Sequence, residues 1–346
     1  MTDLSPPDGP AAPDETSDSP IVEPAPTRAP GLTAFTMEGR KAPALFVVGW
    51  LATIIGGGFL ALTFLGLQGP VRTVIALVGL VLLTLGMLLL GGSQTVERRA
   101  AGASYAGPSP VLVFVAVFSG AQLLGFPIGL VLLPFADRIP SPIASLLGEL
   151  VKDATFLVIL WLMVVGPRAM AWPDMGLRRG LGRAVNGLVT GAVFAGPLVL
   201  ITALVAGLAV QLLGAAPGSP LPPSGTSLGL VANLVTGAIL APVAEELLFR
   251  GFALTAWRRM VSDRGAIVRS SIIFVLAHVA FIGGDSFGPS ASVAVVAGVT
   301  RVPVALALGW LYVRTGSLWA PIGLHAAFNA ILIVVGELAV RGVIGG

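Results

Sequence analysis

The chain of 346 residues contains no cysteine. Disulfides, thiolate metal sites, iron–sulfur ligation and a cysteine nucleophile are therefore excluded. Charge is also scarce: Asp, Glu, Lys and Arg make up 11% of the chain, against about a quarter in soluble domains. There are two histidines in the whole sequence. The basic start and early apolar core of a secretory signal peptide are missing, since residues 1–42 hold seven acids and eight prolines before the first long apolar run. Residues 1–35 are expected to form a disordered, Pro-rich acidic tail. No His-Glu-x-x-His, no Gly-x-Ser-Gly and no Gly-x-Gly-Asp occurs, and the nearest string, Ile282-Gly283-Gly284-Asp285, has isoleucine at its first position. A serine or aspartyl intramembrane mechanism is thereby disfavoured. The absence of an internal repeat removes support for an inverted-repeat transporter.

What is there is apolar: 55% hydrophobic residues and a mean hydropathy of +0.93. A helix needs roughly 20 apolar residues to cross a bilayer. Candidate spans fall at about 44–67, 73–92, 110–135, 143–166, 185–213, 228–250, 267–282, 291–313 and 317–340. The expected fold is an all-α polytopic membrane bundle of about 8–9 transmembrane helices. The net charge of +3 is spread between spans rather than gathered into a patch, so no nucleic-acid partner is expected. With a cytoplasmic N-terminus, fifteen Lys and Arg residues fall on inside segments, three (Arg72, Arg138, Arg341) outside, and two (Lys152, Arg301) within spans. That bias favours N-terminus in and, for nine spans, C-terminus out.

Ionisable groups are costly inside a bilayer and mark functional candidates. The spans hold Glu149, Lys152 and Asp153 in the fourth; Glu245, Glu246 and Arg250 in the sixth; His278 in the seventh; Arg301 in the eighth; and His325, with neutral Asn329, in the ninth. Glu246 and Arg250 share a helical face in a favourable order for an ion pair, while Glu245 points about a hundred degrees away. Pro242 is expected to bend the sixth helix and free a carbonyl nearby. Phe274 and His278 share a face, as do His325 and Asn329. If the sixth helix continues to Arg258, a rise of about 1.5 Å per residue places Glu245 roughly 20 Å deep, with His278 about 14 Å from Arg269 and His325 about 17 Å from Arg314. Three helices can therefore aim Glu245, His278 and His325 at one point. Such a set either holds one divalent metal such as zinc, with water in the fourth position, or needs none: Glu245 and His278 then deprotonate a water directly, while His325 and Asn329 donate to an oxyanion.

At these residues the sequence resembles the CAAX-prenyl-protease and bacteriocin-processing (Abi, CPBP) family of intramembrane proteases. The resemblance rests on Glu245-Glu246-Leu-Leu-Phe-Arg250, Phe274 to His278 and His325 to Asn329, in that order over about 228–340. It implies an α-helical endopeptidase core at 228–340, following N-terminal transmembrane helices at 44–220. It also implies catalytic roles for Glu245, Glu246, Arg250, His278, His325 and Asn329, with Glu246 and Arg250 orienting the site. The implied substrate is a membrane-associated protein or peptide, met in contact with lipid in the plasma (inner) membrane. A composition rich in Ala, Gly, Pro and Arg points to a high-GC bacterium, where prenylated substrates are not expected. Two other classes stand beside the protease. In a non-catalytic scaffold or immunity-type protein the polar network specifies packing alone. In an ion-coupled transporter Glu149, Lys152, Asp153 and Arg301 form the path, although the Glu149–Lys152–Asp153 group also reads as a self-neutralising structural cluster.

Overall fold

In lipid every backbone polar group must be satisfied within the protein, so the long apolar runs become helices. The computed structural model describes residues 31–63, 65, 68–177, 179–219, 221–280 and 287–344. Residues 1–30 of the expected tail, Arg28, Arg178 and the string from Ile282 to Asp285 lie outside the described residues. Among those described there are no strands. Nine helical stretches follow the nine apolar runs: α1 (Pro43–Leu62), α2 (Gly69–Ala100), α3 (Pro110–Leu132), α4 (Ser141–Leu160), α5 (Leu181–Leu213), α6 (Ser227–Arg258), α7 (Asp263–Val279), α8 (Phe287–Thr315) and α9 (Trp319–Val340).

Seven of these are long and apolar enough to span a bilayer. The other two depart for visible reasons. Helix α4 carries Glu149, Lys152 and Asp153, and α7 is 17 residues long. The chain is a multi-pass membrane protein. Its lipid face is plain on α5, where Leu200, Leu204, Leu208 and Leu212 recur every four residues and all are exposed.

Local chemistry fixes where the helices begin. Proline sits in the first turn of α1, α2, α3 and α4, where its missing N–H is not needed. Thr226 and Ser262 cap α6 and α7, their side-chain oxygens accepting from the backbone N–H of Gly229 and Gly265. Ahead of α1, buried Glu97 on α2 accepts from the N–H groups of Lys41 and Ala42 at 2.8 and 3.1 Å. The two helices thus form a pinned hairpin.

Packing brings α6 to the centre, with α4, α7, α8 and α9 against it. Helix α9 is held close to the N-terminal part of α5 by two glycines. A Cβ on Gly191 would overlap the Ala320 carbonyl oxygen, and one on Gly323 would overlap that of Leu188. This small-residue contact sets the height of α9 one half-turn before His325.

Candidate active site

Helix α6 is irregular where the site lies. Its hydrogen bonding widens to the π register over Val235–Leu240, returns to α over Ala241–Glu246, and widens again over Leu247–Leu254. π segments are rare and cluster at functional positions. Pro242 explains the first of them. In the π register the carbonyl of residue 237 would pair with the N–H of residue 242, which proline lacks. Gly237 O is instead taken by Asn329 of α9, whose Nδ2 donates to it at 2.7 Å. The freed carbonyl expected from Pro242 is present, and it ties α9 to α6.

One turn further along α6, Glu246 and Arg250 are both completely buried. Arg250 Nη1 donates to Glu246 Oε1 at 2.9 Å, and its Nη2 donates to the Ala305 carbonyl of α8 at 3.1 Å. His325 Nδ1 lies 2.8 Å from the same Glu246 oxygen. Phe274 closes this layer. Its ring lies 4.4 Å from the Arg250 guanidinium and 5.2 Å from Phe249, with the His278 and His325 rings at 4.5 and 5.9 Å. Aromatic faces accept a cation and edge contacts of this kind, so Phe274 packs the ion pair and both histidines at once.

Glu245 faces a different set. His278 Nδ1 lies 2.8 Å from the Phe274 carbonyl; a carbonyl can only accept, so Nδ1 carries the proton and Nε2 of the neutral ring is an acceptor. That Nε2 lies 3.7 Å from Glu245 Oε2, an oxygen that is buried and has no hydrogen-bond partner. Two acceptors at this separation suit one water that donates a hydrogen to each. The other oxygen, Oε1, lies 3.7 Å from Lys152 Nζ of α4, which in turn pairs with Glu149 at 2.7 Å.

These positions refine two expectations. His325 lines one cavity with Glu245 and His278, but its Nδ1 is bound to Glu246, the neighbouring carboxylate, which is the one turned toward α9. The charges of α4 are not a self-contained cluster, since Lys152 reaches from Glu149 to Glu245. The α4 contribution had a signal in the sequence, three charges within a span, but nothing local shows which distant group they face. Among the described residues no three His, Asp or Glu side chains are arranged to hold a metal ion, so no reaction step below is routed through one.

Two cavities meet at this point. One, of about 500 Å³, is lined by apolar groups that include Phe118, Ala121, Phe156 and Phe249. The other, of about 400 Å³, includes Thr236, Thr300, Arg301, His325 and Asn329. Both are also lined by Lys152, Glu245 and His278. Arg301 donates to the Ala297 carbonyl of its own helix at 2.7 Å, which leaves its charge on the wall of the second cavity.

No curated protein and no solved structure matches the chain. Residues 227–331 match the family model described as type II CAAX prenyl endopeptidase Rce1-like. That stretch begins with α6 and ends two residues past Asn329, so it contains Glu245, Glu246, Arg250, His278, His325 and Asn329 but not α4. The segment that carries Glu245, His278 and His325 is therefore similar to the type II CAAX prenyl endopeptidases that this family model describes.

Proposed function

We propose that the chain is an intramembrane endopeptidase that hydrolyses peptide bonds of membrane-associated proteins or peptides with a water activated by Glu245. The observation that carries this reading is the pair of facing acceptors, Glu245 Oε2 and His278 Nε2, 3.7 Å apart on two separate helices of the family-matched segment. Two acceptors cannot bond to each other, so the arrangement calls for a donor between them, and water supplies two hydrogens.

In the proposed reaction Glu245 takes one proton of the bound water as the water oxygen attacks the scissile carbonyl carbon. His278 Nε2 accepts from the other water hydrogen and sets its direction. The carbonyl oxygen becomes an oxyanion on the wall shared with His325 and Asn329. His325 donates through Nε2 in its protonated form, and Asn329 through the Nδ2 hydrogen that Gly237 does not use. Collapse breaks the C–N bond, and the proton held by Glu245 passes to the leaving amine. Glu246 and Arg250 touch no reacting atom in this scheme. They fix the His325 ring and the turn of α6 that carries Glu245.

The test is cleavage of internally quenched apolar peptides, prenylated and unprenylated, by protein purified in detergent. Wild type is compared with His278→Ala, each with and without chelator and added zinc. His278→Ala is expected to lower kcat by about 10²-fold or more, and chelator is expected to leave wild type unchanged. Chelator loss restored by zinc would instead establish the metal-bound form of the site. A folded wild type inert on every peptide would favour the non-catalytic scaffold.

We further propose that the N-terminus is cytoplasmic and that the site opens toward the cytoplasmic side, from the excess of Lys and Arg on those segments. The absence of native cysteine makes a single introduced one an unambiguous reporter. Ser104→Cys, in the loop after α2, should react from the cytoplasmic side in sealed vesicles; labelling from the opposite side alone would reverse the topology.

A further inference from the structure

Helix α4 lies outside the family-matched residues, yet it presents charge to the site. Glu149, Lys152, Asp153 and Phe156 fall at i, i+3, i+4 and i+7, one face of a helix, and α4 packs against α6. Three carboxylates, Glu149, Asp153 and Glu245, surround the ammonium of Lys152. Its side chain is 30% exposed, while those of Glu149 and Glu245 are 14% and 12% exposed.

Resting on the protease reading above, we propose that Lys152 is a positioning residue that holds the Glu245 carboxylate turned toward His278. The argument is geometric. A glutamate side chain rotates freely at its last torsion unless both oxygens are engaged. Glu245 Oε2 faces His278 Nε2 at 3.7 Å, and Oε1 faces Lys152 Nζ at 3.7 Å. The nearby Arg250 is committed to Glu246 and the Ala305 carbonyl. Lys152 is itself anchored by the 2.7 Å contact with Glu149 one turn back, and its Nζ lies 5.6 Å from the centre of the Phe156 ring. The ammonium therefore has a fixed place from which to orient Oε1, and with it Oε2 and the water.

A bland role for Lys152 is to neutralise Glu149 so that α4 can be buried. The two roles separate in the double variant Glu149→Gln/Lys152→Met, which removes Glu149's charge together with its cation, so that any effect comes through Glu245 and Asp153. Positioning predicts that the double variant still folds yet loses kcat by about 100-fold, the cost of misplacing a reacting group by about 1 Å, with KM changed less than about twofold. Lys152→Arg should recover most of the rate, since a cation again faces Oε1. A crystal structure of the double variant reads the geometry without any substrate, and the Glu245 to His278 separation should exceed 3.7 Å. A stable double variant with wild-type kcat, or one in which that separation is unchanged, overturns the proposal. Glu245→Gln, measured alongside, distinguishes the two failures. If it is inactive while the double variant is fully active, the role of Lys152 falls and the protease reading stands; if it too is active, the protease reading falls.

Discussion

Glu245→Gln is expected to lower kcat by about 10²- to 10⁴-fold, the range lost when a positioned general base is removed. The substitution keeps the shape of the side chain and replaces the proton-accepting oxygen with an amide. It should cost little stability. Oε2 makes no hydrogen bond, and Lys152, the partner of Oε1, retains Glu149 at 2.7 Å. The midpoint of thermal unfolding should therefore stay within a few degrees, corresponding to about 1 kcal/mol in a chain of this size. Kinetics and unfolding together make the result decisive. A stable variant with wild-type turnover would remove Glu245 from the chemistry, and with it the reading that joins Glu245 to His278. Loss of turnover accompanied by a large drop in the midpoint would show instead that Glu245 holds α6 in place.

The same residues show how far the sequence could be read. Seven helices were legible because an apolar run of span length forms a helix to satisfy its backbone in lipid, and α6 does continue to Arg258 as the depth argument required; α4, with its three charges, and the shorter α7 fall where runs were also read. The Glu246–Arg250 pair was legible because it is local: four residues on one helix leave no choice of partner. Partners across helices were not. His325 shares a cavity with Glu245 but bonds to Glu246, a choice the depths could not give because an ideal rise of α6 fixes height but not rotation. Two π segments flank the carboxylates, and each extra residue per turn shifts the face that follows. The bond from Asn329 to Gly237 has the same origin, since the carbonyl that Pro242 releases depends on the local register.

Lys152 was the least legible. It lies more than ninety positions before Glu245, and the two are joined only when α4 packs on α6. Read alone, Glu149, Lys152 and Asp153 are a neutralised cluster or an ion path. Read in place, Lys152 lies between the catalytic candidate and a carboxylate on its own helix. Neutralising the α4 charges therefore does not discriminate a transporter from a protease, because either would be impaired. The discriminating residue is His278, which faces Glu245 and belongs to no chain of charges leading out of the site.

Arg250→Met is expected to destabilise the protein more than any substitution at the reacting groups, by about 3–5 kcal/mol, the cost of leaving a buried charge without its partner. Arg250 and Glu246 are fully buried, and the guanidinium also donates to Ala305 O and lies over Phe274. Its loss leaves the Glu246 carboxylate with His325 alone and removes a link between α6 and α8. The measurement is thermal inactivation in detergent, read as a half-life at fixed temperature. Glu246→Leu/Arg250→Met supplies the complementary result. Replacing both members by apolar groups removes the stranded charge and should recover much of the lost stability. It should not recover cleavage, because His325 then has no carboxylate on Nδ1 to fix its ring beside the cavity. A double variant that is stable and fully active would show that the buried pair serves packing alone; a stable and inactive one assigns it the orientation of His325.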